Sequence, residues 1–442
     1  MPAKAGGVNF VHCHRNCFGY DAIDRLTSHA SDLGAFTLSY LGQTGQMAQR
    51  QRASSTLSTA WTYLPNSGDR RLAGISNTGL SPTQVSTYAY STTPENFISA
   101  ITETSDAAAV YPGTVTQTAS YNNLNQLTNL SGQSLAFDAN GNLLADGQRS
   151  YSWDAENRLV GITYPGQTGK QTAFAYDGLS RRTATASTPA GGGSATTTSY
   201  LWCGSSICQA RNAGNATIRG YYAEGEIVPG ATPQTYYYGP DQIGSTRRVF
   251  ASTTSAPAYG YDPYGRALQA TAPLTDFNYA GMFYDADSGL YLTWYRAYDP
   301  IATRWLSRDP LGEAATDTLR LNSATTDALA VQQAPYTAQP RGVAVTSELD
   351  VLGLKTAGAR LDPALYYGLE WAWPNSPPVR EGTNLYTYAD SNPVSLTDPT
   401  GELTWRQWGQ ICYTIIACKR FPDPPPKPLK PEQCIVMPID KR

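Results

Sequence analysis

Carboxylates, thiols and three histidines are the side chains whose pattern could do chemistry in this chain. Aspartates precede prolines at several points, among them Asp262-Pro263, Asp299-Pro300, Asp309-Pro310 and Asp398-Pro399. The last two open the same pattern, Asp309-Pro310-Leu311-Gly312 and Asp398-Pro399-Thr400-Gly401. A carboxyl group can serve as an acid or a base. An Asp-Pro pair also starts turns, whether or not anything reacts there. His12-Cys13-His14-Arg15-Asn16-Cys17 has the residue types of a zinc site. Such a site wants a second ligand pair at a defined spacing, and the remaining histidine is His29. The cluster therefore reads as an N-terminal arm, and no metal or other cofactor is expected. All three histidines precede residue 30, so no Ser/His/Asp triad can be assembled, and no glycine-rich phosphate loop occurs. Cys203 and Cys208 flank a Gly-Ser-Ser turn and could face each other across a hairpin, as packing or as a disulfide without a redox role. Seven cysteines is an odd number, so at least one is free or pairs between chains.

The elements around these residues read as β-structure. From Asn278 to Gly312 the chain runs NYAGMFYDADSGLYLTWYRAYDPIATRWLSRDPLG, rich in aromatics and Asp-centred turn signals and without a helical period. Across the 442 residues only 15% are charged, against roughly 25% in ordinary globular chains. Thirty tyrosines against ten phenylalanines fit half-buried pleated surfaces, with the ring on the sheet and the hydroxyl reaching a partner. The net charge of −3 and the lack of a Lys/Arg cluster argue against nucleic acid as a partner. No apolar stretch is long enough to span a bilayer as a helix. The N-terminus lacks the apolar core of a signal peptide, so export would need another machine.

A unit recurs: an aromatic, Asp or Asn, two or three turn residues, Arg, Asn or Gln, then usually Leu. It reads YDAIDRL at Tyr20, YNNLNQL at Tyr121, FDANGNL at Phe137, WDAENRL at Trp153, YDGLSRR at Tyr176 and YDPYGRA at Tyr261. The aromatic ends one strand and the Asp or Asn closes a turn on the backbone beyond it. The fourth residue after the aromatic (Asp24, Asn125, Gly141, Asn157, Ser180 or Gly265) is mostly of a type that tolerates the left-handed conformation of a hairpin. The Leu opens the return strand. Each hairpin buries little alone and needs neighbours.

These units, the Asn278–Gly312 segment, YYYGPDQIGSTRRVF from Tyr236 and NLYTYADSNPVSLTDPTG from Asn384 resemble the Rhs/YD-repeat core of bacterial polymorphic toxins and insecticidal toxin complexes. The resemblance implies an all-β fold: irregular YD-repeat hairpins in a long spiralling antiparallel sheet, a partial β-cocoon, with a short C-terminal helix. The expected organisation is an N-terminal arm (1–17), YD-repeat sheet (18–272), core signature (273–312), an atypical insert (313–380), the end of the core (381–401) and a variable tail (402–442). In the family the paired Asp-Pro-x-Gly motifs form an intramolecular aspartyl protease that frees the payload behind the second motif. Carried over, Asp309 and Asp398 are the catalytic pair, and Gly401, Glu402 and Leu403 are the scissile region. Two carboxylates held close cannot both ionise easily, so one activates water while the other, protonated, polarises the carbonyl. The family usually has Leu directly after the second Gly, where this chain has Glu402, and 89 positions separate Asp309 from Asp398. The alternative reading makes both aspartates turn residues.

The resemblance also implies partners and place. The payload would be the chain's own or an adjacent chain's C-terminal toxin. An upstream part of the Rhs shell, a secretion machine of the type VI kind and an immunity protein would accompany it in competition between bacteria. The product would be a secreted effector or lie at the cell surface, cytoplasmic before export. Fewer repeats occur than a full cocoon needs, so the expected function is an encapsulating shell fragment. The alternatives are a working self-cleaving protease, a surface adhesion or carbohydrate-binding repeat, and a truncated remnant. In the tail, Thr404-x-x-Gln407 resembles a helix capping box, with Trp405, Trp408, Ile411, Cys412, Ile415 and Ile416 on one face before a Pro-rich linker. It is too short to form an enzyme core.

Overall fold

A computed structural model describes residues 17–107, 116–251, 257–269, 272–310, 384–401 and 405–406. The expectations for His12, Cys13 and His14, for the insert and for the tail beyond Arg406 fall outside these residues.

Almost every described element is an antiparallel strand paired with its neighbour in sequence. Eight strands from Cys17–Tyr20 to Ile98–Ser105 form one sheet in chain order. Twelve strands from Ala136–Phe137 to Thr246–Ala251 form a second, also in chain order. A three-stranded sheet lies between them in sequence, and four short strands from Phe283–Asp285 to Arg304–Trp305 make a fourth. This is the order a repeat of hairpins gives when each covers the next.

The repeat unit works through its acid. Asp154 Oδ1 accepts from the Glu156 and Arg158 amides, both at 3.0 Å, and its Oδ2 pairs with Arg158 Nε at 2.7 Å. Asp21 and Asp177 repeat the arrangement with Arg25 and Arg181. The fourth residue after the aromatic has positive φ at all six units, from 58° at Asn157 and Ser180 to 87° at Gly141 and Gly265. The turn shifts the pairing register, as between Ser152 and Trp153 or Ala175 and Tyr176.

The aromatic then ties one hairpin to the one before. Tyr40, Tyr63 and Tyr176 donate their hydroxyls to the carbonyls of Leu26, Met47 and Leu159 at 2.8–2.9 Å. Trp153 and Trp202 donate Nε1 to Leu143 and Arg182. In each case the acceptor opens the return strand of the preceding hairpin. Phenylalanine could fill the space but not make this bond, which gives tyrosine a reason to stand at these positions. The turn arginines reach the other way: Arg25, Arg158 and Arg181 lie over the rings of Tyr40, Tyr176 and Trp202.

Buried polar contacts join the two long sheets. His29 Nδ1 lies 2.9 Å from Glu224 Oε1, Asn77 Nδ2 donates to the Pro240 carbonyl, and Tyr237 donates its hydroxyl to the Leu33 carbonyl. Glu226, fully buried, fastens the twelve-stranded sheet to the segment beyond it. Its carboxylate accepts from the amides of Asp276 and Phe277, from Tyr238 Oη and from Arg219 Nη1.

One expectation is corrected. Trp405 and Arg406, placed by the capping pattern on a helix, instead pair antiparallel with Leu396–Thr397, Trp405 opposite Thr397. Leu396 and Thr397 are buried and offer a strand edge, and tertiary pairing overrides a weak local helix signal.

Two measurements test this construction. Tyr176→Phe leaves the Leu159 carbonyl without its donor and should cost about 1 kcal/mol in denaturant unfolding; an unchanged midpoint would show that the ring alone suffices. Burial, helped by Asp276 and opposed by Arg219, lifts the Glu226 carboxyl from 4.5 to about 7. A carboxyl that holds its proton more tightly when folded stabilises the protein most below its unfolded pKa. That contribution is lost as pH rises through the folded value. The melting temperature should therefore fall between pH 4.5 and 7, and Glu226→Gln should flatten that slope. Equal slopes in both proteins would remove Glu226 as the source.

Candidate functional site

Asp309 and Asp398, the residues that open the two Asp-Pro-x-Gly motifs, meet beside the four-stranded unit although 89 positions separate them in sequence. Trp305 N donates to the Tyr386 carbonyl and Asp309 N to the Leu385 carbonyl, so residues 384–388 lie along the strand that leads to Asp309. An isolated bridge between Arg304 and Thr387 continues the contact. Aromatic packing fixes the two segments. The Tyr388 ring lies 4.5 Å from Tyr298 and 5.6 Å from Trp305, and all three side chains are buried.

Asp309 and Asp398 are both buried, and both face Arg296. Arg296 Nη2 is 2.8 Å from Asp309 Oδ2 and 2.8 Å from Asp398 Oδ2. The two carboxylate oxygens are thus no farther apart than twice that distance. The rest of the guanidinium is also engaged: Nη1 donates to the Leu385 carbonyl at 3.3 Å and Nε to the carbonyl of Gly401. Asp398 Oδ1 in turn accepts from Gly401 N at 2.8 Å. One guanidinium therefore holds both carboxylates and the backbone carbonyl of the expected scissile region.

Glycine is required at 401. Its φ is +81°, and a Cβ there would meet Thr293 Oγ1 at 2.4 Å and both N and Cβ of Arg296 at 3.1 Å. Tyr295 N donates to the Thr400 carbonyl beside it. Beyond Gly401, Trp405 pairs with Thr397, so Asp398 and Gly401 lie between the two strands of one short pair. Glu402 and Leu403 themselves are outside the described residues.

The other Asp-Pro pairs have separate partners. Asp262 caps its own repeat turn and pairs with Arg266. Asp299 accepts from the amides of Ile301 and Ala302 and pairs with Arg149 at 2.5 Å. Residue type and spacing made these four aspartates alike, and the shared cation separates one pair. Arg296 was missed in the sequence, although a lone cation within the aromatic run LYLTWYRAYDP was a legible signal. Cys203 and Cys208 are joined in a disulfide across their hairpin turn. His29 is taken up by Glu224, and no cluster of three metal-ligating side chains occurs among the described residues. No helix among them is long and apolar enough to cross a membrane.

A family model described as Teneurin YD-shell matches residues 84–328. The tRNA nuclease WapA of Bacillus subtilis (strain 168) is 30% identical over 217 residues, covering 47% of this chain and 9% of that protein. The toxin protein Tse5 of Pseudomonas aeruginosa is 28% identical over 232 residues, 42% of this chain and 18% of that protein. The chain thus spans less than a fifth of the length of these relatives. The crystal structure of TcdB2-TccC3-TEV superposes with a TM-score of 0.51 at 17% identity, over 87% of this chain and 21% of that one, a likeness of fold.

Replacing Gly401 by Ala should cost about 1–3 kcal/mol, the range for a residue forced into a sparsely populated conformation. Thermal unfolding checks this, and a melting temperature equal to wild type would mean that the turn is not held as described.

Proposed function

This chain belongs to the Teneurin YD-shell family, and we propose that it forms part of the wall of a β-shell that encloses a toxic payload and severs itself from that payload beside Gly401. The wall reading is supported by the run of hairpins in chain order, by WapA and Tse5 as relatives and by the fold shared with the TcdB2-TccC3 complex. The payload would be the segment behind Gly401 or one carried by an adjacent chain. An upstream shell segment, a secretion machine and an immunity protein would complete the system, and the product would act after export or at the cell surface.

The observation that carries the self-cleavage reading is the convergence of Asp309 Oδ2, Asp398 Oδ2 and the Gly401 carbonyl on Arg296. With one proton shared by the two carboxyls, the ionised one takes a proton from water and the other gives its proton to the peptide. The water oxygen adds to the carbonyl carbon, the C–N bond breaks, and the leaving nitrogen departs as an amine. One water is consumed and the dyad regains its single proton. The Arg296 N–H on the carbonyl oxygen stabilises the charge that develops there. Engagement of the Gly401 carbonyl favours the bond that follows Gly401, within the Gly401 to Leu403 region.

Intact mass of the purified chain, beside Asp398→Asn, tests the cut. Asn keeps an oxygen to accept from Gly401 N but loses the charge beside Arg296, so a lower melting temperature is expected and the masses are compared below it. A wild-type product ending between Gly401 and Leu403, absent from the variant, is expected. One full-length mass in both proteins overturns self-cleavage and leaves the aspartates as turn residues. A glycan array checks the wall against an adhesin. No retention is expected, and saturable binding of a particular sugar would overturn the wall in favour of surface adhesion.

A further inference from the structure

We propose that Trp305 is a positioning residue for the cut: its indole face sets the plane of the Arg296 guanidinium, and through it the relation of the two carboxylates to the Gly401 carbonyl. The inference rests on the self-cleavage reading and adds a residue that lies outside the paired Asp-Pro-x-Gly motifs.

Arg296 Cζ lies 4.3 Å from the centre of the Trp305 ring. The edges of the guanidinium are already engaged by Asp309, Asp398, Leu385 and Gly401. Hydrogen bonds at Nε, Nη1 and Nη2 hold the group from its edges, and a ring against its face adds a restraint from the one direction they do not cover. Both side chains are buried, the Arg296 side chain with no exposed surface and Trp305 at 2%. A cation over an aromatic face is worth most when water is excluded.

Trp305 is itself fixed. It lies opposite Tyr298 in the antiparallel pairing, donates its amide to the Tyr386 carbonyl, and meets the Tyr298 and Tyr388 rings edge-on at 5.4 and 5.6 Å. Its indole Nε1 is buried and has no acceptor among the described residues. Buried indole N–H groups usually find a partner. The polar edge of the ring thus gains nothing at this position, and the face toward Arg296 is the part in use. In the repeat turns the corresponding contacts, such as Arg158 over Tyr176, occur where the arginine is partly solvated.

Trp305→Phe and Trp305→Leu decide the matter. Both lose packing volume, but only Phe keeps an aromatic face. The first-order rate of appearance of the cleaved product, followed by intact mass well below the melting temperature, should stay within about threefold of wild type for Phe. It should fall about tenfold or more for Leu, the scale of a desolvated cation–π contact. Leu290→Ala, which empties a fully buried site two strands away in the same sheet, should lower the melting temperature and leave the rate of the folded protein unchanged. Equal rates for Phe and Leu overturn the proposal, as does a Leu290→Ala rate as low as that of Trp305→Leu.

A second readout does not need the cut. With arginine-selective ¹⁵N labelling in the Asp398→Asn background, hydrogen exchange at Arg296 Nε–H, assigned by loss of its signal in Arg296→Lys, should be slow for Trp and Phe at 305 and faster for Leu. Equal exchange in Phe and Leu overturns the positioning role. Absence of cleavage in wild type, by contrast, overturns the self-cleavage reading alone.

Discussion

A buried guanidinium must find partners for its charge and its donors, or the segment around it does not fold. Arg296 is such a group, and its partners come from three places: Asp309 at the start of one motif, Asp398 and Gly401 in the other, and Leu385 between them in sequence. Removing one partner from a buried charge pair costs about 3–5 kcal/mol, because the remaining charge is left uncompensated. The end of the shell core is therefore cooperative: the strand that ends at Asp309 and the segment from Asn384 to Gly401 are ordered together. Nothing in that requirement depends on how much chain runs between them. A long insert can be carried at modest entropic cost, since closing a loop grows more expensive only slowly with its length.

The wall obeys a different constraint. A strand needs a neighbour on each side, and an array of hairpins supplies one only if each turn aims the next strand back across the last. The Asp-Arg turn, the left-handed fourth residue and the aromatic that donates to the preceding hairpin perform that task together. The contacts are local in sequence, so the wall extends by repetition. The motif region is the opposite case, because its contacts are long in sequence and it closes on one arginine.

The repeat was legible because its chemistry is local. Asp24, Asn125, Gly141, Asn157, Ser180 and Gly265 are mostly of types that tolerate the left-handed conformation, and all six adopt it. The pairing of Asp309 with Asp398 was reached through family resemblance; composition and spacing left them indistinguishable from Asp262 and Asp299. Arg296 and Trp305 were in view within the aromatic run but had no pattern of their own. Their roles depend on which strands lie side by side, and that is set by register. The tail misled for a related reason. Thr404 and Gln407 satisfy a helix-capping pattern, yet Trp405 and Arg406 sit opposite a buried strand with a free edge. A local preference worth a fraction of a kcal/mol per residue yields to such an edge.

That short pair between Leu396–Thr397 and Trp405–Arg406 separates two events that are easily taken as one. The proposed cut would fall between these two paired strands in sequence, and their pairing would still join the two sides. Scission there would change the connection from a covalent one to a reversible one. What leaves, and when, then becomes a matter of dissociation rate, set by a few backbone hydrogen bonds at roughly 0.5–1.5 kcal/mol each together with whatever lies beyond them. Chemistry would arm the junction, and a mechanical or binding event elsewhere on the shell would clear it.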